Sequence, residues 1–92
     1  MMSFTQLSEK ISDKGFRRST AGRTFYDENG NEMKVYDFEH RKKLNMFSVY
    51  LDEFGLVKFV EYTDISFDRE THKFSQKVTK FESDNALNRI LG

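Results

Sequence analysis

The sequence predicts an α+β fold, in which a five-stranded, mainly antiparallel meander sheet carries an N-terminal and a C-terminal helix. Residues 44–81 contain three runs of strand-forming residues separated by two turn signals. Residues 23–40 have the pattern of a further hairpin, and amphipathic stretches at 3–14 and 83–91 have helical spacing. The chain has 92 residues, so we expect a single domain, 1–92, with one modest core.

The first helix is predicted over residues 3–14. Ser3 is suited to cap it, and Gln6 stands three residues later as the partner of a capping box. Gly15 is suited to the left-handed position that ends a helix. One apolar stripe consists of Phe4, Leu7 and Ile11. This spacing indicates a helix that covers a core.

The second element is a hairpin over residues 23–40. A two-residue turn at Asn29 and Gly30 would place Asp27 opposite Glu32, which is an unfavourable pair of like charges. A three-residue loop that begins after Asp27 and ends at Gly30 avoids this pair. The register that follows pairs Phe25 with Met33 and Arg23 with Val35.

Two turns define the meander of residues 44–81. Asp52 to Gly55 suits the same three-residue loop, and Asp68 to Lys73 suits a four-residue loop in which Asp68 bonds back to its own turn. The first turn pairs Leu51 with Val57, Val49 with Phe59, and Phe47 with Glu61. The second turn pairs Phe67 with Phe74, Ile65 with Gln76, Thr63 with Val78, Asp64 with Lys77, and Glu61 with Lys80.

These registers predict one apolar face across the three strands. Its members are Val49, Leu51, Val57, Phe59, Ile65, Phe67, Phe74 and Val78. The central strand of about 12 residues, at about 3.3 Å each, would be near 40 Å long. A compact domain of this size has a radius of gyration of about 12 Å. We therefore expect the strand to curve or to be interrupted near residues 61–63.

The opposite face of the meander also carries apolar side chains. Met46, Val60, Tyr62 and Phe81 fall together there. One explanation is a protein interface, because contiguous exposed apolar patches mark interaction sites. The other is the C-terminal helix over residues 83–91, which Ser83 would cap and which follows Phe81 directly. The sequence leaves both explanations open.

Composition excludes several classes of protein. The net charge is zero, so neither a wholly basic nor a wholly acidic surface is expected. There is no Cys, which excludes disulfides and suits a reducing cytoplasm. No apolar run approaches the roughly 20 residues that span a membrane, and no signal-peptide core follows Met1. We therefore predict a cytoplasmic protein with no membrane contact.

The sequence contains no recognisable catalytic or metal-binding pattern. His40 and His72 are the only imidazoles, and neither has a second ligand at metal-binding spacing. No Ser lies in a nucleophile elbow, and the paired acids fall in turns, where Asp and Glu are ordinary. We predict a non-enzymatic protein with no cofactor and no metal.

Two basic clusters lie at residues 14–23 and 40–43, on either side of the first hairpin. They consist of Lys14, Arg17, Arg18, Arg23, Arg41, Lys42 and Lys43. Pairing of the hairpin strands would bring the clusters near one another and favour binding of nucleic acid or phosphate. Alternatively, the arginines pair with the acids of residues 27–39.

The first functional hypothesis is a small regulatory, inhibitor-like module. It would bind a protein partner, or a second copy of itself, through the patch of Met46, Val60, Tyr62 and Phe81. The small size and the lack of a catalytic pattern are typical of bacterial or phage accessory proteins that act by binding. The alternative hypothesis is a nucleic-acid or phosphate-binding protein that uses the basic clusters.

Overall fold

A computed structural model describes residues 1–19 and 21–92, and it confirms the α+β fold. Two helices pack on one face of a mostly antiparallel six-stranded sheet. The elements are α1 (Phe4–Asp13), β1 (Phe16–Arg18), β2 (Arg23–Tyr26), β3 (Glu32–His40), β4 (Asn45–Leu51), β5 (Val57–Asp68), β6 (Lys73–Phe81) and α2 (Asp84–Leu91). The strand order is β1-β3-β4-β5-β6, and β2 pairs with the same edge of β3 as β1.

Both helices begin at the predicted caps. The Ser3 hydroxyl accepts from the Gln6 amide at 3.2 Å, and the Gln6 side chain accepts from the Ser3 amide at 3.2 Å, so the capping box is complete. The Ser83 hydroxyl accepts from the Ala86 amide at 3.2 Å. Gly15 has a φ of +94°, which provides the left-handed residue that ends α1.

Strand β1 is an additional strand, because the sequence predicts five strands and the sheet has six. It runs antiparallel to the end of β3 and places Phe16 opposite His40. Phe16 is buried and meets Phe47 edge-on, with ring centroids 4.8 Å apart. A strand of three residues is too short to show an alternating pattern, so no periodicity predicts it.

The two three-residue turns form as predicted. In each, the Gly amide donates to the carbonyl of the first Asp at 3.0 Å, for Gly30 to Asp27 and for Gly55 to Asp52. The φ angles of these glycines are +78° and +79°. The pairs Phe25 with Met33 and Arg23 with Val35 follow, and every predicted pair between β5 and β6 is present.

A β-bulge between β4 and β5 overturns part of the predicted register. Leu51 lies opposite Val57 as expected, but Tyr50 lies opposite Phe59, so that Lys58 is the extra residue. Val49 therefore faces Val60 instead of Phe59. Phe47 likewise faces Tyr62 instead of Glu61. The single apolar face predicted for the meander is split between the two faces of the sheet.

The covered face of the sheet is the one beneath both helices. It holds a core cluster of Leu7, Ile11, Phe16, Phe38, Phe47, Val49, Leu51, Val57, Val60, Leu87 and Leu91. The other face, here called the open face, carries no helix. It has a smaller buried cluster of Met33, Val35 and Tyr50, with Phe59 packed against it.

Strand β5 extends beyond the end of its neighbour β4. It runs from Val57 to Asp68 and is not interrupted at residues 61–63. Strand β4 pairs with β5 only as far as Asp64, apart from a hydrogen bond between the Ile65 amide and the Leu44 carbonyl at 3.1 Å. The described molecule is elongated, with extents of 46 × 30 × 24 Å.

Candidate functional site

The predicted patch of Met46, Val60, Tyr62 and Phe81 is not a continuous surface. Val60 is fully buried in the core of the covered face, and Tyr62 and Phe81 pack against that core. Helix α2 adds Leu87 and Leu91 to the same cluster, which matches the helix-cover explanation. Met46 pairs with Thr63 and lies on the open face, because the bulge shifts β5 by one residue.

A partly buried polar network lies at the centre of the open face, in which Ser48 is buried while the Arg23 side chain is about half exposed. Asp37 accepts hydrogen bonds from Arg23 at 2.9 Å and 3.2 Å, and from the Ser48 hydroxyl at 2.7 Å. Burial pushes the pKa of Asp37 upward, but the bonds from Arg23 and Ser48 and the charge of Arg23 outweigh it. The pKa of Asp37 is therefore below its ordinary value, and the Arg23 charge is neutralised within the fold.

Aromatic side chains cross the same face beside this network. Tyr50 stacks on Phe59 with centroids 4.2 Å apart, and Phe25 meets Tyr50 edge-on at 5.5 Å. The Lys80 ammonium lies 4.2 Å from the centroid of Phe59. Burial, together with a hydrogen bond to Glu61, raises the pKa of Tyr50 to about 12. On this part of the open face, the side chains of neighbouring strands pack on one another and shield one another from water.

Residues 66–75 form a two-stranded projection, here called the arm. Phe67 and Phe74 pair on its open-face side with centroids 4.9 Å apart, and they are 46% and 66% exposed. Val78 follows at the base of the arm on the same side and is 46% exposed. No helix and no third strand covers these side chains among the described residues. The arm therefore presents an uncovered apolar surface on the open-face side.

Strand β6 is the edge strand that runs along this arm. Its residues Lys73 to Lys80 are all exposed, and Phe81 alone is partly buried. The strand pairs with β5 on one side only. It carries three lysines and no acid from Lys73 to Phe81. An unpaired strand edge that carries three lysines is thus presented to solvent, and each lysine lies opposite an acid of β5: Lys73 opposite Asp68, Lys77 opposite Asp64, and Lys80 opposite Glu61.

The predicted basic residues are only partly brought together. The Arg41 amide donates to the Gly15 carbonyl at 3.3 Å, so Lys14 and the 41–43 turn lie at one end of the sheet. The remaining arginines are dispersed: Arg17 lies opposite Glu39, Arg18 lies 5.2 Å from the ring centroid of Tyr36, and Arg23 binds Asp37. Of the first basic cluster, Lys14 therefore lies near the second cluster, which consists of Arg41, Lys42 and Lys43.

Two kinds of feature are absent from the part of the chain that the structure describes, namely a membrane-spanning helix and a metal-binding group. Neither helix has the length and apolar character that crossing a membrane requires. Within 1–19 and 21–92, no three His, Cys, Asp or Glu side chains are grouped so that they could hold a metal ion. Comparison of the chain with protein-family models, with curated proteins and with solved structures finds no match. We therefore infer the function from the surfaces of the molecule.

Proposed function

We propose that this chain is a small non-enzymatic module that binds a protein partner through its arm. In this proposal an extended segment of the partner pairs with the exposed edge of β6. The observation that supports it is the uncovered arm, in which Phe67 and Phe74 are exposed beside an unpaired strand edge. The absence of Cys suits action in a reducing compartment such as the cytoplasm.

The energetics of hairpins favour an added strand. A two-stranded ribbon is at best marginally stable in water, whereas three strands with an apolar face are stable. A partner strand along β6 would satisfy its outward backbone groups and cover part of Phe74 and Val78. The arm would then gain the third strand that β4 supplies to the first half of β5.

The side chains of β6 specify the chemistry of the partner segment. Phe74 and Val78 lie on the open-face side, while Lys73 and Lys77 lie on the other. A pairing strand would therefore place apolar residues beside the first pair and acidic residues beside the second. We propose a partner segment in which apolar and acidic residues alternate.

A second copy of this chain is a less suitable occupant. Lysines on an edge strand oppose pairing between identical edges. If two copies of β6 paired antiparallel about Lys77, this residue would face its own copy, and like charges directly opposite one another are destabilising. The edge therefore favours a different chain with acidic side chains.

Selection from a library of phage-displayed random 12-residue peptides tests this proposal. We expect enrichment of peptides with alternating apolar and acidic residues on the immobilised protein. A selected peptide should shift the amide resonances of β6 in the ¹⁵N-labelled protein. The double variant Phe67→Ser and Phe74→Ser should lose at least about tenfold in affinity, because it removes the apolar contact area.

Charge reversal provides the matched control. The variant Lys73→Glu and Lys77→Glu should reject the selected acidic peptides and enrich basic ones instead. The control Lys10→Glu and Lys34→Glu makes the same change in net charge away from the arm and should leave binding unchanged. The proposal fails if no peptides are enriched, or if the arm variants and the control bind them equally well.

A further inference from the structure

A pocket of about 230 Å³ lies on the covered side, at the end of the sheet opposite to the turns of Asp27 and Asp52. It is formed where the α1–β1 connection, the β3–β4 turn and the last turn of α2 meet. Phe16, Phe47 and Leu91 contribute an apolar wall, and the Lys14 and Lys43 side chains contribute two cations. The pocket thus combines a hydrophobic surface with positive charge.

The electrostatic environment of the pocket favours an anion. Among the described residues, neither Lys14 nor Lys43 has a carboxylate oxygen within the 4.0 Å of an ion pair. Arg41 and Lys42 extend the positive charge along the turn, and residues 40–43 contain no acid. Asp64 accepts from the Asn45 amide at 3.1 Å when that amide is oriented to accept from Tyr62. Gly92, which follows the lining residue Leu91, lies close to the Lys14 ammonium.

Local hydrogen bonds hold the lysine-bearing turn in place before any ligand binds. The Nδ1 atom of His40 accepts from the amides of Lys42 and Lys43 at 3.0 Å and 3.1 Å. This arrangement requires an unprotonated Nδ1, so the neutral ring carries its proton on Nε2. The His40 ring also meets Phe16 edge-on at 4.9 Å, which joins the turn to the apolar wall. Preorganisation of this kind lowers the entropic cost of binding.

We infer that this pocket binds a small amphipathic anion, meaning a carboxylate or phosphate attached to a short apolar group. Its volume is below the about 300–1,000 Å³ of sites for drug-sized ligands, and it corresponds to roughly eight waters at about 30 Å³ each. The apolar group would contact Phe16, Phe47 and Leu91, while the anion would lie between Lys14 and Lys43. This inference concerns a different surface from the arm and is independent of it.

Four ligands with the same tail provide the test: octanoate, octyl phosphate, octanol and octylammonium. Isothermal titration calorimetry on the full chain should show binding of an anion, with weaker binding of octanol and the weakest of octylammonium. Comparison of the two anions distinguishes a carboxylate from a phosphate ligand. Anion binding should weaken as salt is raised, because exposed charges are screened.

Variants distinguish the pocket from general positive charge. Lys14→Gln and Lys43→Gln should each weaken anion binding about threefold to fivefold, as expected for exposed ion pairs. Lys42→Gln is the matched control, because Lys42 is adjacent in the chain but does not line the pocket. The Lys42→Gln variant should bind the octyl anions as tightly as the wild type does.

Several results would overturn the inference. They are the absence of binding by both anions, equal binding of octanol, or an equal loss in Lys42→Gln and Lys43→Gln. A single-stranded oligonucleotide provides a further comparison. The oligonucleotide would have to bind more tightly than the octyl anions, and substitution of each basic residue at this end would have to weaken its binding equally. The residues to substitute are Lys14, Arg41, Lys42 and Lys43. With both results, the surface is a nucleic-acid site instead of a pocket for a small ligand.

Discussion

Apolar side chains on the two faces of this sheet are shielded from water by different elements. On the covered face, α1 and α2 bury Val60 completely together with the side chains around it. On the open face, Tyr50 is buried only by neighbouring side chains of the sheet itself, among them Phe59. Beyond Ile65, the open-face side chains Phe67 and Phe74 are not buried by neighbouring side chains and remain exposed.

The difference indicates which parts of the sheet contribute most to the stability of the fold. A residue on the covered face contributes to the core, so its exchange is expected to affect the whole domain. A residue of the arm has only a cross-strand partner, so its exchange is expected to act locally. Strand β5 contains both situations, because its first half lies between β4 and β6 while its end pairs with β6 alone.

The largest expected effect compares two substitutions within β5. Val60→Asp places an unpaired carboxylate in a fully buried site and should destabilise the fold by more than about 4 kcal/mol. Phe67→Asp removes one exposed cross-strand pair and should change the free energy of unfolding by at most about 1 kcal/mol. Urea denaturation followed by circular dichroism measures both. Similar losses from the two substitutions would refute the assignment of the arm to the exposed surface.

A smaller effect is expected from the polar network of the open face. Asp37→Asn weakens its bonds with Arg23 and Ser48 and should cost about 1–2 kcal/mol at neutral pH. Because the pKa of Asp37 is lowered by folding, its contribution is present above the ordinary pKa of about 3.9 and is lost as pH falls through the folded value. The variant should therefore lose less stability than the wild type on acidification below about pH 4. Parallel acid-denaturation profiles of the two proteins would argue against this role for Asp37.

The smallest effect at neutral pH is expected for Tyr50→Phe. Folding raises the pKa of Tyr50 from 10.0 to about 12, so its contribution is complete below pH 10 and is lost as pH rises through about 12. Ultraviolet absorbance of tyrosinate should show a step near pH 12 that the variant lacks. If the variant keeps this step, another of the four tyrosines is responsible for it.

Local patterns predicted much of the fold. The capping residues Ser3 and Ser83 mark both helix starts, and both Asp-Glu-x-Gly turns form as predicted. The first turn gives the register of the whole β2–β3 hairpin, and the second gives only the pair of Leu51 and Val57. The bulge at Lys58 could not be derived in this way, because one extra residue in a strand leaves no distinct sequence signal. The bulge separates Met46 from Val60, Tyr62 and Phe81, and helix α2 covers the cluster to which these three residues belong.

The candidate site was therefore predicted less well than the fold. The sequence placed Phe67 opposite Phe74, but it did not show that this pair lies beyond the last β5 residue that pairs with β4. One signal was available in the lengths of the strands, since β5 has 12 residues and β4 has 7. A strand that is much longer than its neighbour must leave part of its length with a single partner. The basic residues were separated for a different reason, because alternation along β1 sends Arg17 and Arg18 to opposite faces.

Removal of the arm tests the central claim most directly. Residues 67–74 can be replaced by Asn-Gly, which closes a two-residue turn between the paired residues Ser66 and Ser75. The Ile65 amide donates to Leu44 of β4, so the neighbouring pair of Ser66 and Ser75 is the hydrogen-bonded pair that such a turn requires. The shortened protein should still unfold cooperatively, with a free energy of unfolding within about 1 kcal/mol of the wild type, and it should no longer bind the selected acidic peptides. Unchanged peptide affinity, or loss of cooperative unfolding, would contradict the claim that the arm serves binding and not folding.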